Sequence, residues 1–328
     1  MYIYSNITGI YVFNQNFEIR EKILFDNLET EKLFKINKEL ENKEILETEK
    51  KFIEKFKNIK NLRIENDEKS LSKVFERLNN EKNYFESLYN NNLLLTKEQI
   101  KNSINFDNLI IQASSSIDEL NKTINILVKR LREWYSYCLP EIEEKIKEHK
   151  IFIDLILNKT RADLIKDLDI KNSMGKELQK SDNEQILNLA KTIQLLLKEK
   201  EQKEKYLETL IKENCPNLNE IAGFLISGKL ISLAGSLKNL AFIPSSTVQL
   251  LGAEKALFRH MINKNAKPPK HGIIHEHSLL QKASKENKGK VARALADKIL
   301  LAAKVDYFKG EFIGDKLKKD LEEKFAEK

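Results

Sequence analysis

For most of its first half this chain has almost no breakers. Its 328 residues include 10 glycines and 5 prolines, yet no glycine falls between Gly9 and Gly175 and no proline precedes Pro140. Sheet-rich folds depend on tight turns and tight turns depend on those residues, which excludes an all-β or doubly wound α/β chain over this stretch. The two cysteines, Cys138 and Cys215, are too few for a disulfide framework or a zinc ribbon and read as core thiols in a reducing interior. No run approaches the ~20 apolar residues of a membrane span. The opening MYIYSNITGIYVFN lacks the basic start of a signal peptide, so the expected location is the cytoplasm. A P-loop, a Rossmann glycine fingerprint and a nucleophile elbow are all missing, which removes the usual sequence support for catalysis.

What the chain has in excess is charge. Charged residues make up 33% and hydrophobic residues 41%; against a usual charged share of about a quarter, this predicts long exposed helices, with room for two or three domains. The net charge of +7 is uneven: from Gly223 onward 20 Lys and Arg face 11 Asp and Glu, while residues 1–222 carry 37 against 39. Between Lys255 and Arg293 the ratio is 10 to 2, and four of the five histidines (His260, His271, His275, His277) lie there. A basic last third predicts an acidic polymer as partner.

The expected fold is mostly α, in three parts. Residues 1–105 form a small α/β domain: alternating Tyr, Ile, Val and Phe up to about residue 25 predict a three-stranded antiparallel meander, and Lys-, Glu- and Asn-rich helices after it cover one face. Residues 106–221 form a long central coiled coil. Its first helix carries Leu109, Ile110, Ala113, Ile117, Leu120, Ile124, Leu127, Val128 and Leu131 at three- and four-residue steps and ends or kinks at Pro140. Its second, with weak positions at Lys200 and Lys203, runs from Asp182 to Glu213, roughly 48 Å at 1.5 Å per residue. A helix that long needs a partner along its length: an antiparallel hairpin within the chain and pairing between two chains are both expected, and Leu189, Ile193, Leu196, Leu207 and Leu210 are the candidate dimerisation residues. Residues 222–328 form a compact all-α domain whose small residues permit close helix approach.

One stretch of that domain, GAEKALFRHMINKNAKPPKHG at 252–272, concentrates cations, a helix start and two breakers. A helix from about Glu254 to Ile262 places free backbone N–H groups beside Lys255 and Arg259, an arrangement suited to a phosphate, with Leu257 and Met261 anchoring the opposite face. Pro268 and Pro269 then leave Lys264, Lys267, Lys270 and His271 on a loop beside it. Lys290 and Arg293 on a strong helix at 288–308 extend the basic surface, while Val291, Leu295, Ile299 and Ala302 face inward.

Three blocks resemble the Nop-domain family, specifically its archaeal members that partner fibrillarin in box C/D guide ribonucleoproteins: LNKTINILVKRLREWYSYCLPEI at 120–142, SLAGSLKNLAFIPSSTVQLLGAEKALFRH at 232–260, and KPPKHGIIHEHSLL at 267–280 with GKVARALADKILLAAKVDYFKGE at 289–311. The resemblance covers 106–325 and implies a scaffold with no catalytic residue and no cofactor of its own. It implies an N-terminal domain that docks fibrillarin, whose cofactor is S-adenosylmethionine, a coiled coil that forms a homodimer, and a helical domain that clamps a kink-turn guide RNA already held by a ribosomal-protein-like kink-turn binder. Carried over, Gly252, Ala253, Glu254 and Lys255, with Arg259, His260, Lys270 and His271, lie at the RNA and protein junction. Residues 26–105 match the family poorly, so no fibrillarin-contact residue is assigned.

Three other readings compete. Histidines 271, 275 and 277, four and two apart, could converge on a metal, but no acidic or cysteine ligand accompanies them and nearby lysines oppose a cation. A pure coiled-coil interaction protein leaves the basic third unexplained. A spliceosomal assembly factor with the same domain binds a kink-turn without a methyltransferase, and the N-terminal strands favour the guide-ribonucleoprotein version.

Overall fold

The computed structural model describes all residues except 27, 57, 66, 264 and 326–328. The chain separates into two compact units, Met1–Ile104 and Asn105–Lys328.

In the first unit, β1 (Tyr2–Asn6), β2 (Gly9–Phe13) and β3 (Ile19–Leu24) form the antiparallel meander. A two-residue β4 (Lys60–Asn61), absent from the expectation, pairs parallel to β1 and gives the order β3-β2-β1-β4. Five helices follow or flank it: α1 (Thr30–Glu41), α2 (Glu47–Lys55), α3 (Leu62–Glu65), α4 (Glu68–Asn79) and α5 (Tyr84–Ser103). They cover both faces of the sheet rather than one. The reason is β2, GIYVF, all five residues of which are buried. Ile10 and Val12 pack with Ile3, Leu33, Leu46, Phe52 and Leu95, and Tyr11 and Phe13 pack on the other side with Leu62, Val74, Leu78 and Tyr84. A strand apolar on both faces needs a layer on each.

The unit also buries a charge. Glu49, fully buried, accepts hydrogen bonds from Ser5 Oγ at 2.5 Å and from the Leu46 backbone N–H at 2.9 Å, and pairs with Arg63 at 3.3 Å. Arg63 in turn donates to the Leu40 and Glu44 carbonyls, so one ion pair ties the end of α1, the start of α2 and β1 together.

The second unit is built on two long helices, α6 (Phe106–Tyr135) and α10 (Lys180–Asn214). Asn105 caps α6 by accepting from the Asp107 and Asn108 N–H groups, with Asn108 reaching back to the Asn105 N–H. The two helices run antiparallel: near the tip Ile124, Val128 and Leu131 meet Ile186, Ala190 and Ile193, and at the root Ile110, Ala113 and Ile117 share a core with Leu207 and Ile211. Short helices α7 (Ile142–Lys145), α8 (His149–Asn158) and α9 (Arg161–Asp167) close the tip. Arg132 braces it, donating to the Ile146 and Lys147 carbonyls while its guanidinium lies 4.2 Å from the Phe152 ring centroid.

This geometry takes up two of the five candidate dimerisation residues. Ile193 and Leu207 are buried in the chain's own hairpin and are not open to a second copy, while Leu189, Leu196 and Leu210 are half-buried beside them. Among the described residues, the most exposed large apolar side chains of the two hairpin helices are Ile126, at 69%, and Leu195, at 64%, ahead of Tyr206 and Leu109.

The remaining helices are α11 (Pro216–Ala234), α12 (Leu237–Phe242), α13 (Ser245–Leu250), α14 (Glu254–Ile262), α15 (Ser278–Lys282), α16 (Lys288–Tyr307) and α17 (Gly314–Phe325). The core surrounds α16, whose Val291, Leu295, Ile299 and Ala302 face inward as the sequence predicts. Burial of each larger side chain contributes about 1.5–3 kcal/mol. That core includes the hairpin root, and residue 222 lies inside α11 within it. Asp306, on α16, accepts from the Asn217 and Leu218 backbone N–H groups and from Asn217 Nδ2, capping α11 from a neighbouring helix. Burial outweighs those bonds and raises its carboxyl above the usual range.

Candidate nucleic-acid interface

The excursion 252–272 leaves and rejoins the core at one point. Gly272 N–H donates to the Gln249 carbonyl at 2.8 Å and Ile273 N–H to the Leu251 carbonyl at 2.7 Å, forming a two-bond clasp at its base. A glycine stands at each end. Gly252 adopts φ +85°, a left-handed turn that other residues enter at a cost of roughly 1–2 kcal/mol. Gly272 passes so close to residue 251 that a Cβ would lie 1.9 Å from the Leu251 carbonyl oxygen.

What the clasp holds out is α14, which buries none of its residues. Lys255 and Arg259, one turn apart, are both exposed. The expected anchoring is only half realised: Leu257 is half-buried, but Met261 is 66% exposed and does not anchor the helix. Phe258 and Ile262 are exposed too, at 61% and 87%. A nine-residue helix needs apolar contact to order it, and this one shows that contact outward, so cations and apolar side chains share its surface. The apolar half was missed at the sequence level. Its signal was Phe258 and Ile262 standing outside the stripe assigned to anchoring.

At the helix start, among the described residues, no side chain caps the first turn. The Gly252 N–H, however, is taken by the Glu254 carboxylate at 2.7 Å, so part of the proposed anion site is already filled from within. Ala253 sits between them as the residue before the helix. His260 donates from Nδ1 to the Ala266 carbonyl at 2.5 Å, folding the loop back on α14, and Gln249 Nε2 donates to the Lys270 carbonyl. His260 is thus a loop brace in this structure. Lys267 and Lys270 are exposed on that loop; Lys264 lies outside the described residues.

His271 stacks on His275 with ring centroids 4.5 Å apart. Burial first, then His275 and Lys288, hold His271 below the ordinary imidazole value. His277 is engaged at both nitrogens: Nε2 donates to the Ile221 carbonyl at 2.8 Å, and Nδ1 accepts from the Leu279 N–H. That carbonyl is free because α11 breaks at Gly223, whose φ is +74°. With His277 committed in this way the three histidines do not converge on an ion, and among the described residues no metal-binding cluster of His, Cys, Asp or Glu forms. Lys290 and Arg293 are exposed on α16, where they line a cleft against α17 to which α14 contributes no residue. Both cysteines are buried, and burial pushes each thiol upward. Among the described residues no helix is long and apolar enough to cross a membrane.

Against known proteins, the family model Nop, described as a snoRNA binding domain and fibrillarin, matches residues 116–327. An uncharacterised NOP5 family protein of Methanocaldococcus jannaschii is 41% identical over 250 residues, covering 71% of this chain and 60% of the relative. Nucleolar protein 56 of Schizosaccharomyces pombe is 37% identical, covering 65% of this chain and 47% of the relative. Nucleolar protein 58 of Lodderomyces elongisporus is 38% identical, covering 62% and 42%. The chain therefore spans between about two fifths and three fifths of the length of these relatives. A crystal structure of a fibrillarin/Nop5p complex aligns over 99% of both chains at 20% identity and a TM-score of 0.45. From residue 116 onward the family model covers the hairpin, the clasped excursion and the core around α16, and on that match the chain belongs to the Nop-domain family.

Proposed function

We propose that this chain is a non-catalytic RNA-binding scaffold of a box C/D guide ribonucleoprotein, which places fibrillarin for guide-directed ribose 2′-O-methylation. The observation that carries the reading is the excursion 252–272: within a domain of this family, a clasped element holds Lys255 and Arg259 in solvent beside exposed Phe258, Met261 and Ile262. Cations suit the phosphates of a kink-turn RNA, and the apolar side chains suit the protein that holds that RNA. The junction is composite, which is what binding RNA and its protein together requires.

Two further roles belong to this reading. Homodimerisation runs through the outer face of the hairpin, where Leu195 and Ile126 are exposed. Fibrillarin docking belongs to the N-terminal unit, where α5 exposes Phe85, Tyr89, Leu93 and Ile100 at steps of four, four and seven, one face of the helix. The methyl donor, S-adenosylmethionine, sits on fibrillarin, and the assembly works in the cytoplasm.

The test is reconstitution. The chain, fibrillarin, a kink-turn-binding protein and a box C/D guide RNA are combined with a matched target, and transfer of labelled methyl is followed with each component omitted in turn. Transfer should require every one. Transfer that proceeds without this chain, or RNA assembly to which fibrillarin never joins, contradicts the scaffold role.

A further inference from the structure

A concavity of about 720 Å³ lies between α15, α16 and α17, and no residue of α14 lines it. Its floor is apolar: Leu279, Ala283, Val291, Ala294 and the half-buried ring of Phe325. Four cations stand on its rim, Lys282, Lys290, Arg293 and Lys324, none of them within ion-pair distance of a carboxylate among the described residues. Two carboxylates, Asp297 and Glu322, complete the wall.

Each part of this lining matches a part of one ligand class. The volume falls in the range of roughly 300–1,000 Å³ that holds a small organic ligand. Phe325 packs against the core with the Lys324 ammonium 6.0 Å from its ring centroid, so a base that stacks on the ring, as in sequence-tolerant single-strand binders, takes the place of that cation. Arg293, one turn from Lys290 on α16, presents the planar fork that grips a phosphate by two bonds. A site for phosphate alone would gain nothing from Asp297 and Glu322, which repel it. A base carrying N–H donors uses them: guanine presents two adjacent donors to the two oxygens of a carboxylate. From this lining we infer that the cleft receives one unpaired nucleotide of the RNA strand, its base against Phe325 and its phosphate on Lys290 and Arg293. The inference rests on the RNA-scaffold reading and adds a second contact to it, distinct from the α14 surface.

The test uses the full chain with its Ala, Leu and Val methyl groups isotopically labelled for NMR. The probes are 5′-GMP, inorganic phosphate, and a short unstructured guanine-containing RNA. GMP at roughly 10 mM, a concentration that reports even a millimolar site, should shift the Leu279, Val291 and Ala294 methyls. Phosphate at the same concentration should shift them far less. The RNA should bind at least about tenfold more tightly than GMP, because neighbouring phosphates add contacts. Lys324→Glu, on the exposed rim, should weaken both; Ala294→Leu, which fills the floor, should abolish the shift at Leu279. Unmoved methyls with a chain that still assembles on kink-turn RNA overturn the cleft and spare the scaffold. Loss of that assembly as well overturns the underlying reading. Equal responses to phosphate and GMP reduce the cleft to an anion site, and binding of GMP without binding of the RNA assigns it to a free nucleotide; either contradicts the inference.

Discussion

At the scale of single residues, the two glycines of the clasp and the buried ion pair are where one atom decides most. Gly272→Ala drives a methyl into the Leu251 carbonyl and must open the clasp. A destabilisation of about 1–3 kcal/mol, the usual range for overpacking, is expected in urea titration, with weaker RNA binding. Gly252→Ala has room for its methyl, with its nearest neighbours at 3.4–3.5 Å, and meets only the left-handed backbone penalty of roughly 1–2 kcal/mol. Glu49→Ala leaves Arg63 without its carboxylate in the interior of the first unit; a loss of about 3–5 kcal/mol is expected there.

The histidines give the pH dependence its sign. Burial lowers the values of both His277 and His271. The unfolded chain therefore takes up protons first as pH falls through the ordinary imidazole value of about 6.5. The stability associated with the neutral rings is complete above that pH and declines below it, until the folded-state groups titrate. Urea midpoints between about pH 7.5 and about pH 5.5, a window in which histidine dominates, should drop with acid. The slope should be shallower in His277→Gln; a midpoint flat across that window counts against the burial assigned to these rings.

Elements carry the next level, and here the sequence was legible wherever a pattern had one physical meaning. The meander, the two long helices and the inward face of α16 all follow from periodicity, because each period admits one way to bury its apolar side. The dimerisation set was not legible. Ile193 and Leu207 mark a seam, but a seam looks the same whether its partner helix comes from the same chain or another, and α6 was long enough to occupy it. The covering of the sheet on both faces stands in the unbroken apolar run of β2, which a reading by alternation overlooks. Met261 escapes for a different reason: helical spacing gives a face, but not whether anything packs on it, and α14 hangs from the clasp with none of its residues buried. The role of His260 as a brace depends on where the loop returns, which no local pattern encodes.

One pair of substitutions separates seam from surface. Leu195→Glu, on the outer face of α10, should leave helicity unchanged and halve the mass seen by light scattering if two chains meet there. Ile193→Glu should instead unfold the hairpin, since it places a charge in the chain's own core. A Leu195→Glu chain of unaltered mass removes that face from the dimer. The cap on α11 behaves similarly: Asp306→Ala strands the Asn217 and Leu218 N–H groups and should cost about 1–3 kcal/mol for each group left buried without an acceptor.

The whole molecule divides its tasks between its units. The first unit, Met1–Ile104, buries its own double-sided core and leaves an apolar face on α5; the second joins a hairpin and a helical core that share residues. Residues 116–327, which carry the family match, lie within the second unit, and the basic excess from Gly223 onward falls there too. Charge, clasp and family membership converge on 252–272, whose helix α14 buries none of its residues. Its removal as a binding surface should therefore be separable from folding.

The most direct test of that claim is the affinity for a box C/D kink-turn RNA with its binding protein, measured against salt for the native chain and for Lys255→Ala with Arg259→Ala. The double variant should melt as the native chain does, since α14 buries nothing. It should bind more weakly by about 1–3 kcal/mol and show a salt slope shallower by about two, one for each phosphate that the two side chains neutralise. Binding of native strength and native salt slope, or a collapsed melting temperature, would contradict the assignment of this surface to RNA.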